Sequence, residues 1–150
     1  MTITFDPIGT IRTPYETRDE TPSQGTMAPE SKGTVEVFPD FEEGLKDIET
    51  FTHIILLYHL DKAWEVKLVR PGALDKVPHG VFASRHPCRP NGIGLTVVRL
   101  LGRSGNRLEI AGIDVLDGTP LLDIKPYIAR FDGFPEAGEG WVSRQAMNLI

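Results

Sequence analysis

Cysteine is almost missing from this chain of 150 residues: Cys88 stands alone. An internal disulfide is thereby excluded, and a reducing, cytoplasmic setting is expected. Long apolar runs are missing too. None approaches the ~20 residues that cross a bilayer, so no membrane role is expected. The first residues, MTITFDPIGTIR, lack the basic start and apolar core of a secretory signal. Cationic excess is also absent. The net charge is −5, with 21 acidic and 16 basic residues, which disfavours indiscriminate nucleic-acid binding but leaves room for a local basic patch.

The common catalytic signatures are absent as well. Gly92-Ile93-Gly94 has no third glycine, and a strand rather than a helix follows, so it is not a dinucleotide fingerprint. No phosphate-binding P-loop occurs. His86-Pro87-Cys88 has neither the Cys-x-x-Cys nor the His-x-Glu of a zinc deaminase. His53, His59, His79, His86 and Cys88 lack the paired spacing of metal ligands, and no metal is expected. A thiol nucleophile would need a positioned base, and adjacency to His86 alone does not supply one. Cys88 reads as a passenger, and His53 and His59 as hydrogen-bonded core or edge residues.

What is present is a series of short strand patterns in one domain-sized chain. Ile3–Phe5, Ile8–Ile11, Thr34–Phe38, Trp64–Leu68, Gly80–Ser84, Ile93–Leu101, Leu108–Gly112 and Pro120–Ile124 all read as strands. Phe51–Leu60 is nearly continuous in apolar residues and predicts a central strand buried on both faces. Phe41–Ile48 carries apolar residues at helical spacing and predicts a short helix. Residues 13–33 form a long polar loop, of a length that is usually functional or mobile. Val142–Ile150 predicts a short amphipathic end piece. Many short strands without a β-α-β rhythm predict a mainly β fold, a single-domain barrel or sandwich with one or two short helices.

Two stretches are dense in chemistry. RHPCRPNGIG (85–94) combines two arginines, a histidine and the cysteine with prolines and glycines that forbid regular structure. DVLDGTPLLDIKPY (114–127) places three aspartates and a lysine in a segment otherwise fit for burial. Buried charges tend to be paired, functional, or both. The plainer alternative is a turn whose arginines cap carbonyls, and a hairpin with Asp123 and Lys125 at its edge.

Taken with IGTIRTPY (8–15), FTHIILLYHLD (51–61), HGVFASRHPCRPNGIGL (79–95) and DVLDGTPLLDIKPYI (114–128), these stretches identify a resemblance. The sequence resembles the TsaA-like, or TrmO, family of S-adenosylmethionine-dependent tRNA methyltransferases, which are built on a β-barrel rather than a Rossmann fold. The resemblance runs from Ile8 to about Tyr127, and implies a barrel domain over residues 1–135 with a short tail at 136–150. One departure is Gly92, where family members often carry proline. Some relatives also have a C-terminal domain thought to help hold tRNA, and this chain is expected to lack it.

The resemblance implies S-adenosylmethionine as cofactor and, as acceptor, N6 of a threonylcarbamoylated adenosine 37 in tRNA. A guanidinium from Arg85 or Arg89 could then clamp the cofactor's carboxylate by paired hydrogen bonds. Asp114 or Asp117 could accept from a ribose hydroxyl or the amino group. Backbone around Leu95, Val115 and Leu116 could read the adenine edge, and Ser23, Gln24 and Gly25 are cofactor contacts by family analogy. Asp114, Asp117 and His59 are candidate bases for the acceptor nitrogen. Arg12 or Lys125 could meet the threonyl carboxylate or a phosphate. Tyr15, Tyr58 or Tyr127 could stack on a base, with core packing the commoner fate of such residues. A homodimer with the cofactor site near its interface is implied, with Trp141, Val142 and Ile150 as spare apolar residues. Two rival readings are a methyltransferase with a small-molecule or other RNA acceptor, and a non-catalytic module that binds the cofactor.

Overall fold

The structure is a computed structural model that describes residues 1–72 and 76–144. Its strands are β1 (Gly9–Arg12), β2 (Lys32–Val37), β3 (His53–His59), β4 (Val69–Pro71), β5 (Pro78–Gly80), β6 (Ile93–Ser104), β7 (Arg107–Ala111) and β8 (Thr119–Pro126), followed by one turn of helix, α1 (Ala129–Asp132). Six of them close a barrel in the order β1-β2-β7-β6-β3-β8, and β4 pairs with β5 in a small separate ribbon. Every barrel pair is antiparallel. The expected mainly β barrel is therefore observed.

Alternation builds the interior, because successive side chains on a strand point to opposite faces. On β3, Ile54, Leu56 and Tyr58 are buried inside, Ile55 and Leu57 are half-buried outside, and His53 and His59 are exposed. The expectation of burial on both faces is thus corrected: a small barrel fills its inside with one face only, and apolar outer residues are half-covered by neighbours. Ile11, Val35, Val98, Leu108, Ile110 and Leu121 complete the same core.

Closure also sorts the connections. With all neighbours antiparallel, residues 13–31, 60–92 and 112–118 emerge at one rim. Residues 38–52, the Gly105-Asn106 turn and the chain after Pro126 emerge at the opposite one.

Several local expectations fail, and those for strands fail because pattern alone does not say which segments find a strand partner. Ile3–Phe5 is extended but unpaired and exposed. Trp64–Leu68 is irregular, with strand β4 starting only at Val69. Val81–Ala83, expected as strand, is a tight 3-10 turn that buries Val81 and turns Phe82 outward. The helix expected at 41–48 is instead a 3-10 stretch at Pro39–Leu45 with a second at Ile48–Thr50, and Phe41 is exposed. Gly140–Arg144 is likewise 3-10, and the rest of the expected end piece, residues 145–150, lies outside the described residues. Trp141 is not spare: its indole N–H donates to the Ala83 carbonyl across 2.8 Å, and its ring stacks 4.0 Å from that of His79.

Candidate functional site

All three connections at the first rim send polar groups to one place. Asp114, from the β7–β8 connection, is part-buried. Its Oδ1 accepts from the Thr96 hydroxyl at 2.5 Å, and its Oδ2 accepts from the Gly25 amide at 2.9 Å. Thr96 lies on the inner face of β6, where its Oγ1 is also 2.8 Å from the Tyr58 hydroxyl inside the barrel. Gln24, beside Gly25, accepts at Oε1 from the Arg85 guanidinium at 2.5 Å. A continuous polar chain therefore runs from Tyr58 in the core through Thr96 and Asp114 to Gln24 and Arg85 at the surface.

Two glycines permit this convergence. A Cβ on Gly25 would collide with the Gly112 carbonyl oxygen, and a Cβ on Gly94 would enter the Tyr58 ring. The bare backbone at 25 lets the long loop lie against the β7–β8 turn, and that at 94 lets Tyr58 fold flat over β6.

Burial raises the Asp114 pKa above the ordinary 3.8, opposed by the Thr96 and Gly25 hydrogen bonds and by the charge of Arg85. Burial likewise drives the Tyr58 phenol upward, aided by the Asp114 charge. Such a site combines a costly carboxylate with a nearby exposed cation. It suits a ligand that carries both charges at one end.

Arg89 does something else. Its Nη1 donates to the carbonyls of Ser84 and His86, at 3.0 and 3.2 Å, and so staples the 84–89 loop. His86 Nδ1 accepts from the Cys88 amide at 3.1 Å, and the fully buried Cys88 Sγ accepts from the Trp64 amide at 3.3 Å. Cys88 is a packed part of the loop. The rigidity that the prolines foreshadow thus has identifiable hydrogen bonds behind it.

The remaining sequence-derived residues scatter. Asp117 accepts from the Thr13 amide at 3.1 Å and lies 4.0 Å from Arg12, whose guanidinium also faces Glu36. Val115 is buried, with its carbonyl taken by the Thr13 hydroxyl, and the Leu116 carbonyl is taken by Thr119. Leu95 is exposed on β6, opposite Leu57. Ser23 is exposed, and its carbonyl receives the Gln24 side-chain amide. His59 is exposed where β3 ends at this same rim. Tyr58 is buried and unable to stack on a ligand's base, and the Tyr15 hydroxyl is 2.6 Å from that of Ser31. Lys125, paired to Asp123 at 3.0 Å, and Tyr127, edge-on to His53, are at the opposite rim. Sequence reasoning missed Thr96 and offered Tyr58 as a stacking residue, where burial and the Thr96 hydroxyl make it the inner end of this chain. Thr96 reads as an ordinary barrel residue until the register brings the two together.

Two surface clefts lie away from this cluster. One of about 290 Å³ is lined by Arg12, Thr13, Lys32 and Glu109. The other, about 530 Å³, is at the opposite rim among Ile8, Phe41, Leu45 and Ile124. The Asp114 cluster is the better candidate, because a part-buried carboxylate with fixed donors specifies a ligand's charge, whereas the far-rim cleft is mainly apolar and the charges of the other, on Arg12, Lys32 and Glu109, are all exposed. Among the described residues no three His, Cys, Asp or Glu side chains converge as metal ligands would.

Comparison with known proteins places the chain in a family. The family model for the tRNA-methyltransferase O N-terminal domain matches residues 10–133. A probable S-adenosyl-L-methionine-binding protein of Pyrococcus abyssi is 48% identical over 149 residues, 99% of this chain and 81% of its own length. The mouse (Mus musculus) tRNA (adenine(37)-N6)-methyltransferase is 35% identical over 85% of this chain, which covers 31% of that protein. A crystal structure of TrmO superposes with a TM-score of 0.82 at 43% identity, over 93% of this chain and 64% of the other. A second, from Pseudomonas aeruginosa, gives 0.78 at 40% identity, over 94% and 63%. The chain thus spans less than two thirds of the solved structures, and 38% of one Archaeoglobus fulgidus relative.

Proposed function

Because the chain belongs to the tRNA-methyltransferase O family, we propose that it is an S-adenosylmethionine-dependent methyltransferase acting on N6 of adenosine 37 in tRNA, with the threonylcarbamoylated base as its acceptor. The names of the relatives support the cofactor and the tRNA. The observation that carries the reading on this chain is the Asp114–Gln24–Arg85 arrangement at the barrel rim.

The residues fit the cofactor chemically. Its amino-acid end bears a carboxylate and an ammonium, and Arg85 and Asp114 offer the opposite charges, held apart by Gln24. Each Asp114 oxygen accepts one hydrogen bond, which orients the carboxylate and leaves a lone pair on each oxygen for a ligand or a proton. Arg89 fixes the loop on which Arg85 rides, which lowers the entropy lost when a ligand is clamped. When bound, the cofactor supplies an electrophilic methyl group on a sulfonium centre. Transfer by in-line displacement needs alignment and exclusion of water, and neither a metal nor a protein nucleophile.

A carbamoylated nitrogen is a poor nucleophile, and a base beside it would help. Asp114, Asp117 and His59 are the candidates, Asp114 with its pKa raised by burial and His59 exposed at the same rim. Arg12, close to Asp117, is the better placed of the two cations suggested for the threonyl carboxylate, since Lys125 is at the far rim. A homodimer would be needed for Lys125 or Tyr127 to approach an Asp114 cluster, that of a second copy. The dimer, the cytoplasmic setting and the 1–135 barrel boundary are parts of the same proposal.

The test is transfer of a labelled methyl group to tRNA carrying or lacking the threonylcarbamoyl group. Transfer to the modified tRNA alone is expected. Equal rates on both would refute the acceptor assignment, and transfer to a small molecule but not to tRNA would favour the rival enzyme.

A further inference from the structure

The charge of the chain is unevenly placed. The β3–β6 connection, residues 60–92, holds six basic residues against three acidic ones, while the rest of the chain holds ten against eighteen. This one excursion is therefore cationic in an acidic protein, and it is also the segment that delivers Arg85 to the candidate site.

The 13–31 loop adds a further cation to it. The Arg18 guanidinium lies 3.1 Å over the Trp64 ring and donates to the Lys62 carbonyl at 3.1 Å. Arg70 approaches the same ring at 5.7 Å, with Nη2 on the Glu65 carbonyl and its buried Nε unpartnered. His86 meets the edge of Trp64 at 5.4 Å, and burial together with Arg70, Arg18 and Arg89 lowers its pKa. Protonation is resisted where positive charge is already crowded. Of the nearby acids, Glu65 is paired to Lys67 at 3.8 Å and Glu20 to the hydroxyl of Thr17 at 2.9 Å.

The Val81–Ala83 turn adds an aromatic group. Phe82 is 77% exposed, the most exposed aromatic side chain among the described residues. It stands three residues before Arg85 and beside Ala83, to which Trp141 is bonded. An exposed phenyl ring has no packing role to explain it, and every nucleobase has a face that stacks on such a ring.

We propose that the β3–β6 connection, through Arg70 and Phe82 and with Arg18 of the 13–31 loop laid on its Trp64, is the surface on which this chain receives single-stranded RNA. The two guanidinium groups on Trp64 hold backbone phosphates, and Phe82 receives an unpaired base next to the Asp114 cluster. Contacts run without a break from one to the other, by Trp64–His86, His86–Arg89–Ser84 and Arg85–Gln24. The proposal rests on the RNA-acceptor reading above.

The test is fluorescence anisotropy of a labelled stem-loop RNA and of its fully duplexed counterpart, across a salt series. Arg70→Ala and Arg18→Ala are expected to weaken both RNAs several-fold and each to reduce the slope of log affinity against log salt by about one. Phe82→Ala is expected to weaken the stem-loop about five- to a hundredfold, with its slope unchanged and the duplex unaffected. Arg18→Gln keeps a planar polar head without the charge, and serves if Arg18→Ala disturbs the fold. Cofactor titration of each variant is expected to match the parent protein. RNA affinities unchanged in all variants, with the parent binding RNA, would overturn the proposal alone. No RNA binding by the parent would bring it down together with the RNA-acceptor reading on which it rests.

Discussion

Thr96 donates its hydroxyl to Asp114 across 2.5 Å while its own oxygen sits 2.8 Å from the Tyr58 phenol. One small side chain thus links the barrel core to a carboxylate at the rim. Removing it leaves the buried Tyr58 and the part-buried Asp114 each short of a hydrogen bond. Thr96→Val is expected to cost about 1–3 kcal/mol of stability. Tyr58→Phe in the same background should then cost less than it does alone, by about 0.5 kcal/mol or more. Denaturant unfolding of the two single variants and the double variant measures this, and strict additivity would mean that the chain is not coupled.

Arg85 and Arg89 separate by role despite lying four residues apart. Arg85 meets a side chain of another loop, whereas Arg89 satisfies carbonyls of its own. Arg85→Ala should lower cofactor affinity at least tenfold with little change in melting temperature, as loss of a charged clamp does. Arg89→Ala should lower affinity less but accelerate amide exchange through residues 84–89, because the loop loses its staples. Titration calorimetry with hydrogen exchange reads both, and identical profiles for the two variants would contradict the division.

Acid should act on this protein in two opposite ways. His86 has a folded-state pKa below the unfolded 6.5, so its contribution to stability is present above that value and lost as pH falls through it. Asp114 has a folded-state pKa above 3.8, so its stabilising share is present at low pH and lost as pH rises through the raised value. Cofactor affinity follows the charge of Asp114, and should fall on acidification before an ordinary aspartate would protonate. His86→Asn should flatten the stability difference between about pH 7.5 and about pH 5.5, while Asp114→Asn flattens the fall in affinity on acidification. Melting curves at the two values and cofactor titrations down through the acidic range check the signs.

Gly94→Ala tests the packing that places Tyr58. Its methyl group would enter the tyrosine ring, and overpacking of this kind typically costs about 1–3 kcal/mol. A variant as stable as the parent would show that Tyr58 moves aside freely, and that the chain from core to rim is not fixed.

The barrel was legible in the sequence because β1, β2, β6, β7 and β8 alternate strongly and pair in register. Trp64–Leu68 and Val81–Ala83 misled, since alternation predicts a strand only where an edge is available, and here the barrel closes without them. Arg85 and Asp114 stand out in the two chemistry-dense stretches, Gln24 and Gly25 come from family resemblance, and the rim brings all four together. Lys125 and Tyr127 lie within the same motif as Asp114, yet β8 carries them across the barrel to the other rim. Proximity in sequence says little about position along a strand that crosses the whole molecule. Thr96 gave no signal, because a threonine on a strand is ordinary until its partner arrives from eighteen residues away.

The measurement that bears most directly on the site is calorimetric titration of S-adenosylmethionine into the parent protein and into Asp114→Asn, with ATP as the control ligand. Saturable binding by the parent, at least tenfold weaker in the variant and absent for ATP, is the predicted result. Equal affinity in parent and variant would place the cofactor elsewhere and contradict the assignment of the Asp114–Gln24–Arg85 cluster as its site.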